Sequence, residues 1–353
     1  MFTTRFSEFF SYRVPRIFVK CSQPMKKEPT VSDPKRRTPF RVLSIDGGGI
    51  RGVLPAAFLN YIQERIGPTP IHRYFDLITG TSTGGIIALA LSVEVPIQEI
   101  LKLYTTKAGK IFSWRPQKLT KGLLFPMYAN KALSLALQGI FTLQTKLGDA
   151  KSRLCIPAID ITNGKAIVFK TPHHPDYLND YRIPVWQVGM ATSAAPAYFP
   201  AFHAEGIPAF VDGGLWANNP SLVGILEALK LGRQLQEISV LSLGTGNRTM
   251  HKQTSTAVKF GLVGWGSEIV DWVFHVQSQA VVNAAKYLCG KNYCRIDIPL
   301  PANKSLLSKR FRLDGTNDVG DLRSFGEYKA KETFNQLEHS FFASKVKPYQ
   351  PLL

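Results

Sequence analysis

Two short apolar runs near the start of the chain each end in a glycine-rich turn and lead into a helical pattern. Residues 40–45 stop at three consecutive glycines, and residues 75–79 lead into the turn 80–85. Apolar residues recur at helical spacing after the first turn, and an apolar helix follows the second as far as Val93. The order strand, helix, strand, helix favours a parallel sheet covered on both faces, so we expect an α/β fold.

The remainder of the chain extends the same architecture. Further strands are predicted at residues 154–161, 166–170, 209–211 and 238–243, and further helices at 185–193, 221–231, 268–287 and 321–339. Hydrophobic residues make up 44% of the chain and charged residues 19%, which supplies a sizeable core and excludes collagen-like, disordered and small secreted classes. With no internal repeat, the 353 residues are predicted to form one α/β domain behind an N-terminal tail.

Residues 1–38 have a different composition and are predicted to be a basic, flexible extension. Aromatic and basic residues alternate in the first half, and Lys, Pro, Ser and Thr dominate the second. A basic amphipathic segment on a membrane surface and a disordered tail are both consistent with this pattern. No apolar run of about 18 residues is present, so neither a secretory signal peptide nor a membrane-spanning helix is predicted.

The cysteines and the charge indicate compartment and partners. Four scattered cysteines without a CxxC pair indicate idle thiols in a reducing cytoplasm, and no metal site is predicted. The formal net charge of +18 predicts attraction to an acidic partner such as a phospholipid surface or a nucleotide.

One interval, residues 110–148, concentrates this charge. It contains no acidic residue and six basic ones: Lys110, Arg115, Lys118, Lys121, Lys131 and Lys146. Aromatic and aliphatic side chains lie between them. The interval is predicted to be a helical cap, either with a merely solvated basic face or with a surface that meets anionic lipid or an anionic ligand.

The sequence GTSTG, residues 80–84, fits the GxSxG pattern of a nucleophile turn between a strand and a helix. Gly80 and Gly84 suit such a turn, because a Cβ at either position would collide with neighbouring backbone. The turn would lift Ser82 Oγ clear of the sheet at the N-terminus of the next helix. An ordinary Gly/Ser/Thr turn is the alternative, but the flanking strand and helix favour Ser82 as a nucleophile.

The sequence DGGGIRG, residues 46–52, supplies a candidate oxyanion hole. The N–H groups of Gly47, Gly48 and Gly49 could converge on one oxygen, with Arg51 adding a positive charge. A purely structural ion pair between Arg51 and Asp46 is the alternative role for this arginine. The segment also fits the dinucleotide pattern GxGxxG, which would indicate an oxidoreductase, but the acidic residue expected at the end of the second strand is missing.

No histidine has a setting typical of a general base. His251, His275 and His339 follow the serine but lie outside glycine-rich turns, and His173 and His174 fall in a proline-rich loop. Asp212 is the better candidate, because a short apolar strand delivers it to the Gly-Gly turn of FVDGGLWANNP. Desolvation in a dry pocket would raise the proton affinity of its carboxylate, whereas an ordinary Asp-Gly-Gly turn would have no chemistry.

Together, DGGGIRG, GTSTG and DGG in this order resemble the patatin-like phospholipase family, as do ATSAAPAYFP at 191–200 and LSLGTG at 241–246. The resemblance implies a three-layer α/β/α fold with a mostly parallel central sheet. It also implies a Ser82–Asp212 dyad, an oxyanion loop of Gly47 to Gly49 with Arg51, and cleavage of lipid acyl esters without a metal. The catalytic domain would span 39–353, with a core at about 40–250, the cap at 110–148 and a C-terminal helical section at about 265–353.

Within that family the chain looks most similar to bacterial effectors of antiphage defence that a cyclic dinucleotide activates and that then degrade the inner membrane from the cytoplasm. The basic cap and the segment around Lys309, Arg310 and Arg312 are the candidate sites for such a messenger. A constitutive phospholipase or esterase is the alternative, and a non-catalytic lipid- or nucleotide-binding protein is a third possibility. No DNA or RNA polymer is expected as a partner, and a homo-oligomer is left open.

Overall fold

A mixed sheet of seven strands forms the centre of the part of the chain that the computed structural model describes, residues 38–112, 126–248, 268–301 and 310–353. Its strands are β1 (Phe40–Ile45), β2 (Leu77–Gly80), β3 (Arg153–Asp160), β4 (Lys165–Lys170), β5 (Phe210–Asp212), β6 (Ile238–Leu243) and β8 (Tyr293–Ile296). The order is β4-β3-β2-β1-β6-β8, with β5 paired to β3. Two short strands, β7 (Asn247–Arg248) and β9 (Pro299–Leu300), form a separate pair.

Strand β3 is the branch point of the sheet. Its first residues pair in parallel with β2, and its last residues pair antiparallel with β5. Strand β4 occupies the other edge of β3, because Ala158 pairs with both Ile167 and Asp212. Strands β2 and β5 therefore lie end to end along one edge of β3. Strand β4 pairs antiparallel with β3, whereas β1 pairs in parallel with β2 and β6, and β6 with β8, so the prediction of a mostly parallel sheet is confirmed.

Helices cover both faces of the sheet. They are α1 (Val53–Ile66), α2 (Thr83–Ser92), α3 (Ile97–Lys102), α4 (Ala108–Ile111), α5 (Asn130–Phe141), α6 (Val185–Ser193), α7 (Gly214–Ala217), α8 (Ser221–Lys230), α9 (Glu268–Cys289) and α10 (Val319–Leu337). Neighbouring strand residues face different cores: Leu43 packs in a cluster with α1, α2 and α6, and Val42 in a cluster with α8 and α9. The three-layer α/β/α prediction is confirmed. Among the described residues, no helix combines the length and hydropathy needed to cross a bilayer.

The predicted basic cap is only partly described. Within 110–148 the structure describes α5, which buries Leu133, Leu137 and Phe141. It also describes three of the six basic residues, all exposed: Lys110, Lys131 and Lys146. Arg115, Lys118 and Lys121 lie outside the described residues. The N-terminal extension, residues 1–37, and Lys309 lie outside them as well. The anionic partner predicted for these segments stays a prediction.

Candidate active site

Ser82 lies on a sharp turn between β2 and α2. Its backbone has φ 55°, a left-handed conformation that costs a non-glycine residue on the order of 1–3 kcal/mol. The Ser82 N–H donates to Thr192 Oγ1 at 3.0 Å, and the Thr192 hydroxyl donates to the Pro157 carbonyl oxygen at 2.6 Å. A threonine of α6 thus ties the strained turn to β3 and fixes the position of the serine.

Gly80 and Gly84 make this turn sterically feasible. A Cβ on Gly80 would collide with the carbonyl of Gly84, and a Cβ on Gly84 would collide with the carbonyls of Ile45 and Asp46. The turn is therefore packed against the end of β1, where the glycine loop begins. This is the crowding that the GxSxG pattern predicts.

Asp212 is completely buried at the end of β5. Its Oδ1 accepts a hydrogen bond from the Gly214 N–H at 2.7 Å, whereas its Oδ2 has no hydrogen-bond partner among the described residues. Burial raises the pKa of Asp212 to about 7, and the nearby Ser82 hydroxyl and the Gly214 N–H lower it only in part. The Ser82 contact lacks hydrogen-bond geometry, as is frequent in enzymes without bound substrate. The two predicted dyad residues are thus brought together, with one carboxylate oxygen free to take a proton.

The glycine loop supplies fewer free amides than the sequence predicts. The Gly47 N–H donates to the Asn218 carbonyl at 2.9 Å, so its predicted role as an oxyanion donor is wrong for this conformation. No hydrogen bond to a described residue engages the N–H groups of Gly48 and Gly49. Gly49 has φ +56°, and a Cβ there would collide with the Leu313 carbonyl. The candidate oxyanion hole is therefore reduced to the Gly48 and Gly49 amides.

Arg51 does not contribute to the Ser82 site. It lines a separate polar cavity, and its Nη1 lies 3.4 Å from the Gly246 carbonyl oxygen. The alternative prediction, an ion pair with Asp46, is also wrong, because Arg295 binds Asp46 through two hydrogen bonds of 2.8 and 2.7 Å. Burial raises the pKa of Asp46 to about 6 despite this partner. The Asp46–Arg295 pair anchors the start of the glycine loop to β8.

A narrow apolar slot opens beside Ser82 and Asp212, which both line it. It has a volume of about 60 Å³ and is lined by side chains from α2, α4, α5, α9 and the loop after α6. Besides Ser82, Asp212 and Gly49, its walls include Ile86, Ile111, Phe112, Leu133, Tyr198, Phe199, Phe274 and Leu313. Such walls exclude water and accept a hydrocarbon chain, which is what keeps the pKa of Asp212 high.

The histidines described by the structure lie outside this slot. His173 is buried against Thr171 and Glu227 on the far side of β3, His275 faces the polar cavity, and His339 is exposed. His251 lies outside the described residues. Asp212 is accordingly the base candidate that the geometry supports.

One buried group has the composition of a metal site. Ligand atoms of Cys155, His173 and Glu227 lie within 4.8 Å of one another. The Lys170 ammonium, however, donates to Glu227 Oε2 at 2.5 Å. Against the effect of burial, hydrogen bonds with His173 and Lys170 lower the pKa of Glu227 to about 2. The carboxylate is thus already neutralised by a fixed cation. The arrangement fits a structural ion pair rather than a cation site, and none of its members lines the slot.

Two residues that matter here carried only weak sequence signals. Thr192 lies within ATSAAPAYFP, a segment that carries the family resemblance without indicating any role for this threonine. Phe274 lies on α9 among many apolar residues, yet its ring packs on Gly214 beside Asp212. Both positions become visible only when distant segments are assembled around β3.

A strained serine between a strand and a helix, with a buried carboxylate beside it in the wall of an apolar slot, defines an α/β serine hydrolase for lipid acyl esters. The model of the family Patatin, described as patatin-like phospholipase, matches residues 43–224. The chain belongs to this family.

Three relatives from Pseudomonas aeruginosa, Escherichia coli and Vibrio cholerae bear the name cGAMP-activated phospholipase. They are 34%, 31% and 34% identical to the chain over 80%, 88% and 64% of its length. The matched regions cover 86%, 94% and 70% of those proteins. The resemblance to the patatin-like phospholipases stated from the motifs is thereby confirmed.

Proposed function

We propose that the protein hydrolyses acyl esters of membrane phospholipids through Ser82 and Asp212, and that cGAMP activates it. The observation that carries the catalytic part is the buried Asp212 carboxylate beside Ser82 in the wall of an apolar slot; its Oδ2 has no hydrogen-bond partner among the described residues. A carboxylate with a pKa of about 7 is half ionised at neutral pH and can both take and return a proton.

The proposed reaction has two acyl-transfer steps. Asp212 takes the hydroxyl proton while Ser82 Oγ forms a bond to the ester carbonyl carbon, and the Gly48 and Gly49 amides bind the oxyanion. The ester C–O bond then breaks, and protonated Asp212 gives its proton to the departing lysophospholipid alcohol. Asp212 then takes a proton from water, whose oxygen bonds to the acyl carbon; the bond from that carbon to Ser82 Oγ breaks, Asp212 returns the proton to Ser82 Oγ, and the fatty acid leaves. None of these steps requires a metal ion.

The regulatory part of the proposal is supported by the names of the relatives and by the charge. Three relatives are named for activation by cGAMP, and the chain carries a formal net charge of +18 that favours anionic ligands. The same charge would hold the enzyme on anionic lipid, so we place its action at the inner surface of the cell membrane. A constitutive phospholipase of the same mechanism is the competing function.

The test is fatty-acid release from vesicles of bacterial phosphatidylethanolamine and phosphatidylglycerol, with and without cGAMP. We expect release that cGAMP increases and that Ser82→Ala abolishes. Ser92→Ala is the matched control, because Ser92 is a buried serine at the far end of α2 whose Oγ has no hydrogen-bond partner among the described residues. Equal rates with and without cGAMP would favour the constitutive enzyme. No release, together with no labelling of Ser82 by a fluorophosphonate, would favour a non-catalytic binding protein.

A further inference from the structure

A second cavity, which we call the Arg51 cavity, lies beside the catalytic slot. It has a volume of about 310 Å³ and is lined by Asp46 at the end of β1, Thr245 after β6 and Asp297 after β8. The polar face of α9, including Ser278, closes one side. The carboxyl ends of parallel strands are the edge where α/β proteins bind ligands, and this volume suits a small polar molecule.

The charges of the Arg51 cavity are unevenly paired. Its lining contains four fixed cations, Arg51, Arg248, Lys286 and Arg295, and three carboxylates, Asp46, Asp271 and Asp297. Arg295 is held between Asp46 and Asp297, and Arg248 lies 3.7 Å from Asp271. Neither Arg51 nor Lys286 forms an ion pair with any described residue. The cavity therefore keeps an excess of one positive charge.

Arg51 is the least satisfied of these cations. Its Nε is buried without a hydrogen-bond partner among the described residues, and Nη1 has only the long contact to the Gly246 carbonyl. Burial lowers the pKa of Arg51, and the more distant carboxylates of Asp271 and Asp297 offset this effect only in part. A guanidinium offers a planar set of donors that matches two oxygens of a phosphate group.

The C-terminal arginines that were predicted to bind a messenger already have carboxylate partners. Arg310 donates to Asp318 at 2.8 Å and also binds Asp321, and Arg312 donates to Asp314 at 3.1 Å. Of the C-terminal cations predicted to bind a messenger, the two described by the structure thus have carboxylate partners. The unpaired cations beside the catalytic slot are better placed to attract an anion.

We propose that the Arg51 cavity binds a phosphodiester anion, with Arg51 and Lys286 as its principal cationic ligands. A single phosphodiester group carries one negative charge, which matches the single positive excess of the lining. cGAMP has two such groups and would place one of them in this cavity. The hydroxyl of Ser278 and the amides of Gln279 and Asn283 line the same cavity and can contact the groups esterified to the phosphate.

The position of the cavity couples it to the dyad. Phe274 of α9 lines both the Arg51 cavity and the catalytic slot, and its ring packs on Gly214, whose N–H holds Asp212 Oδ1. An occupant that contacts α9 therefore touches the helix whose Phe274 packs on Gly214, the residue that holds the Asp212 carboxylate. If the proposed function holds, the phosphodiester has two sources: the head group of the phospholipid under attack, or the cGAMP activator.

The test is titration calorimetry on the full chain with two soluble phosphodiesters, cGAMP and glycerophosphoethanolamine. We expect saturable binding of at least one ligand, weakened about 10–100-fold by Arg51→Gln and by Lys286→Glu, since a charge-assisted hydrogen bond is lost. Lys291→Glu is the matched control, because Lys291 is an exposed lysine just beyond α9 that does not line the cavity. Lys286 is exposed too, so its variant keeps the test valid if Arg51→Gln fails to fold.

The outcomes distinguish cGAMP from the lipid head group as the source of the phosphodiester. They also distinguish failure of the proposed site from failure of the proposed function. Selective loss of cGAMP binding assigns the cavity to the activator, and selective loss of glycerophosphoethanolamine binding assigns it to the lipid head group. No binding of either ligand, or equal binding by all variants, overturns the proposed site. Vesicle hydrolysis measured on the same preparations reports separately on the proposed function, since Ser82→Ala must abolish hydrolysis without weakening phosphodiester binding.

Discussion

Asp212 reaches Ser82 because the strands that carry them lie end to end along the same edge of β3. Strand β2 runs parallel to β3 and stops at Gly80, two residues before the serine. Strand β5 runs antiparallel along the continuation of that edge, and its last residue, Asp212, pairs with Ala158. Two strands that approach each other head-on thus bring an alcohol and a carboxylate together.

The pH dependence of hydrolysis follows from the burial of Asp212. Its pKa is raised to about 7, and only the ionised carboxylate can accept the serine proton. We expect kcat/KM on a soluble short-chain ester to rise about tenfold per pH unit below pH 7 and to level off above it. A flat profile between pH 5.5 and 8.5 would contradict this assignment of the base.

The same burial predicts a stability gain for Asp212→Asn. The folded pKa of about 7 lies above the ordinary value of 3.8, so folding takes up a proton between these values and stability falls as pH rises through the window. The neutral asparagine escapes this loss. We expect its free energy of unfolding to exceed that of the parent by about 1–3 kcal/mol at pH 8, with a smaller difference at pH 5.

Urea denaturation of both proteins at the two pH values measures this difference. Asp176→Asn serves as the control, because Asp176 is exposed and its pKa is lowered by Lys230. A gain for Asp212→Asn that is larger at pH 5 than at pH 8 would contradict the sign.

Thr192→Val tests the positioning of the nucleophile. The variant keeps the shape of the side chain but loses the hydrogen bonds to Ser82 N–H and to the Pro157 carbonyl. We expect kcat to fall about 10–100-fold with little change in KM, since the serine is displaced but the slot is intact. Thr79→Val removes a comparable buried hydrogen bond, to the Cys155 carbonyl, and should retain full kcat. Equal kcat values for both variants would show that Thr192 is merely structural.

Alanine substitutions at two glycines compare the crowded turn at Gly84 with the open surface of α4 at Gly109. Gly84→Ala forces a Cβ into the Ile45 carbonyl and should abolish activity together with most of the folded protein. Gly109→Ala, in α4, meets nothing within 4 Å and should be neutral or stabilising by about 0.5–1 kcal/mol. Thermal unfolding and vesicle hydrolysis report on both. Normal activity of Gly84→Ala would exclude the tight turn described here.

Arg295→Met tests the anchor of the glycine loop. Without Arg295, the buried carboxylate of Asp46 loses its cation, which costs about 3–5 kcal/mol of stability. Arg323→Met removes an exposed partner of Glu327 and should cost only about 0.3–0.5 kcal/mol. The comparison is made by chemical denaturation at pH 7. Equal losses would mean that the Asp46–Arg295 pair contributes no more than a surface contact.

Local patterns predicted the elements well where the apolar periodicity is strong. Strand β6 and helix α6 begin and end at the predicted residues, 238–243 and 185–193, because each is an uninterrupted buried segment with clear boundaries. Strand β8 went unpredicted, since Tyr293–Ile296 is only four residues long and contains an arginine. That arginine, Arg295, faces Asp46 from 249 residues away.

Some features of the candidate site could likewise be predicted from local sequence, and others could not. Ser82 and Asp212 were predictable because each follows its own strand and enters a glycine turn. The pairing of Asp46 with Arg295 and the hydrogen bond from the Gly47 amide to the Asn218 carbonyl could not be predicted. Both depend on contacts between segments distant in sequence. Local spacing carries no information about which of two arginines reaches a buried carboxylate.

The branching of β3 also has a consequence for biosynthesis. Ser82 leaves the ribosome long before Asp212, and the short β5 can dock only after β3 itself has been completed. A nascent chain that ends before residue 212 holds the alcohol without its base. On the proposed function, ester hydrolysis therefore cannot begin until translation has passed the last strand that brings the two residues together.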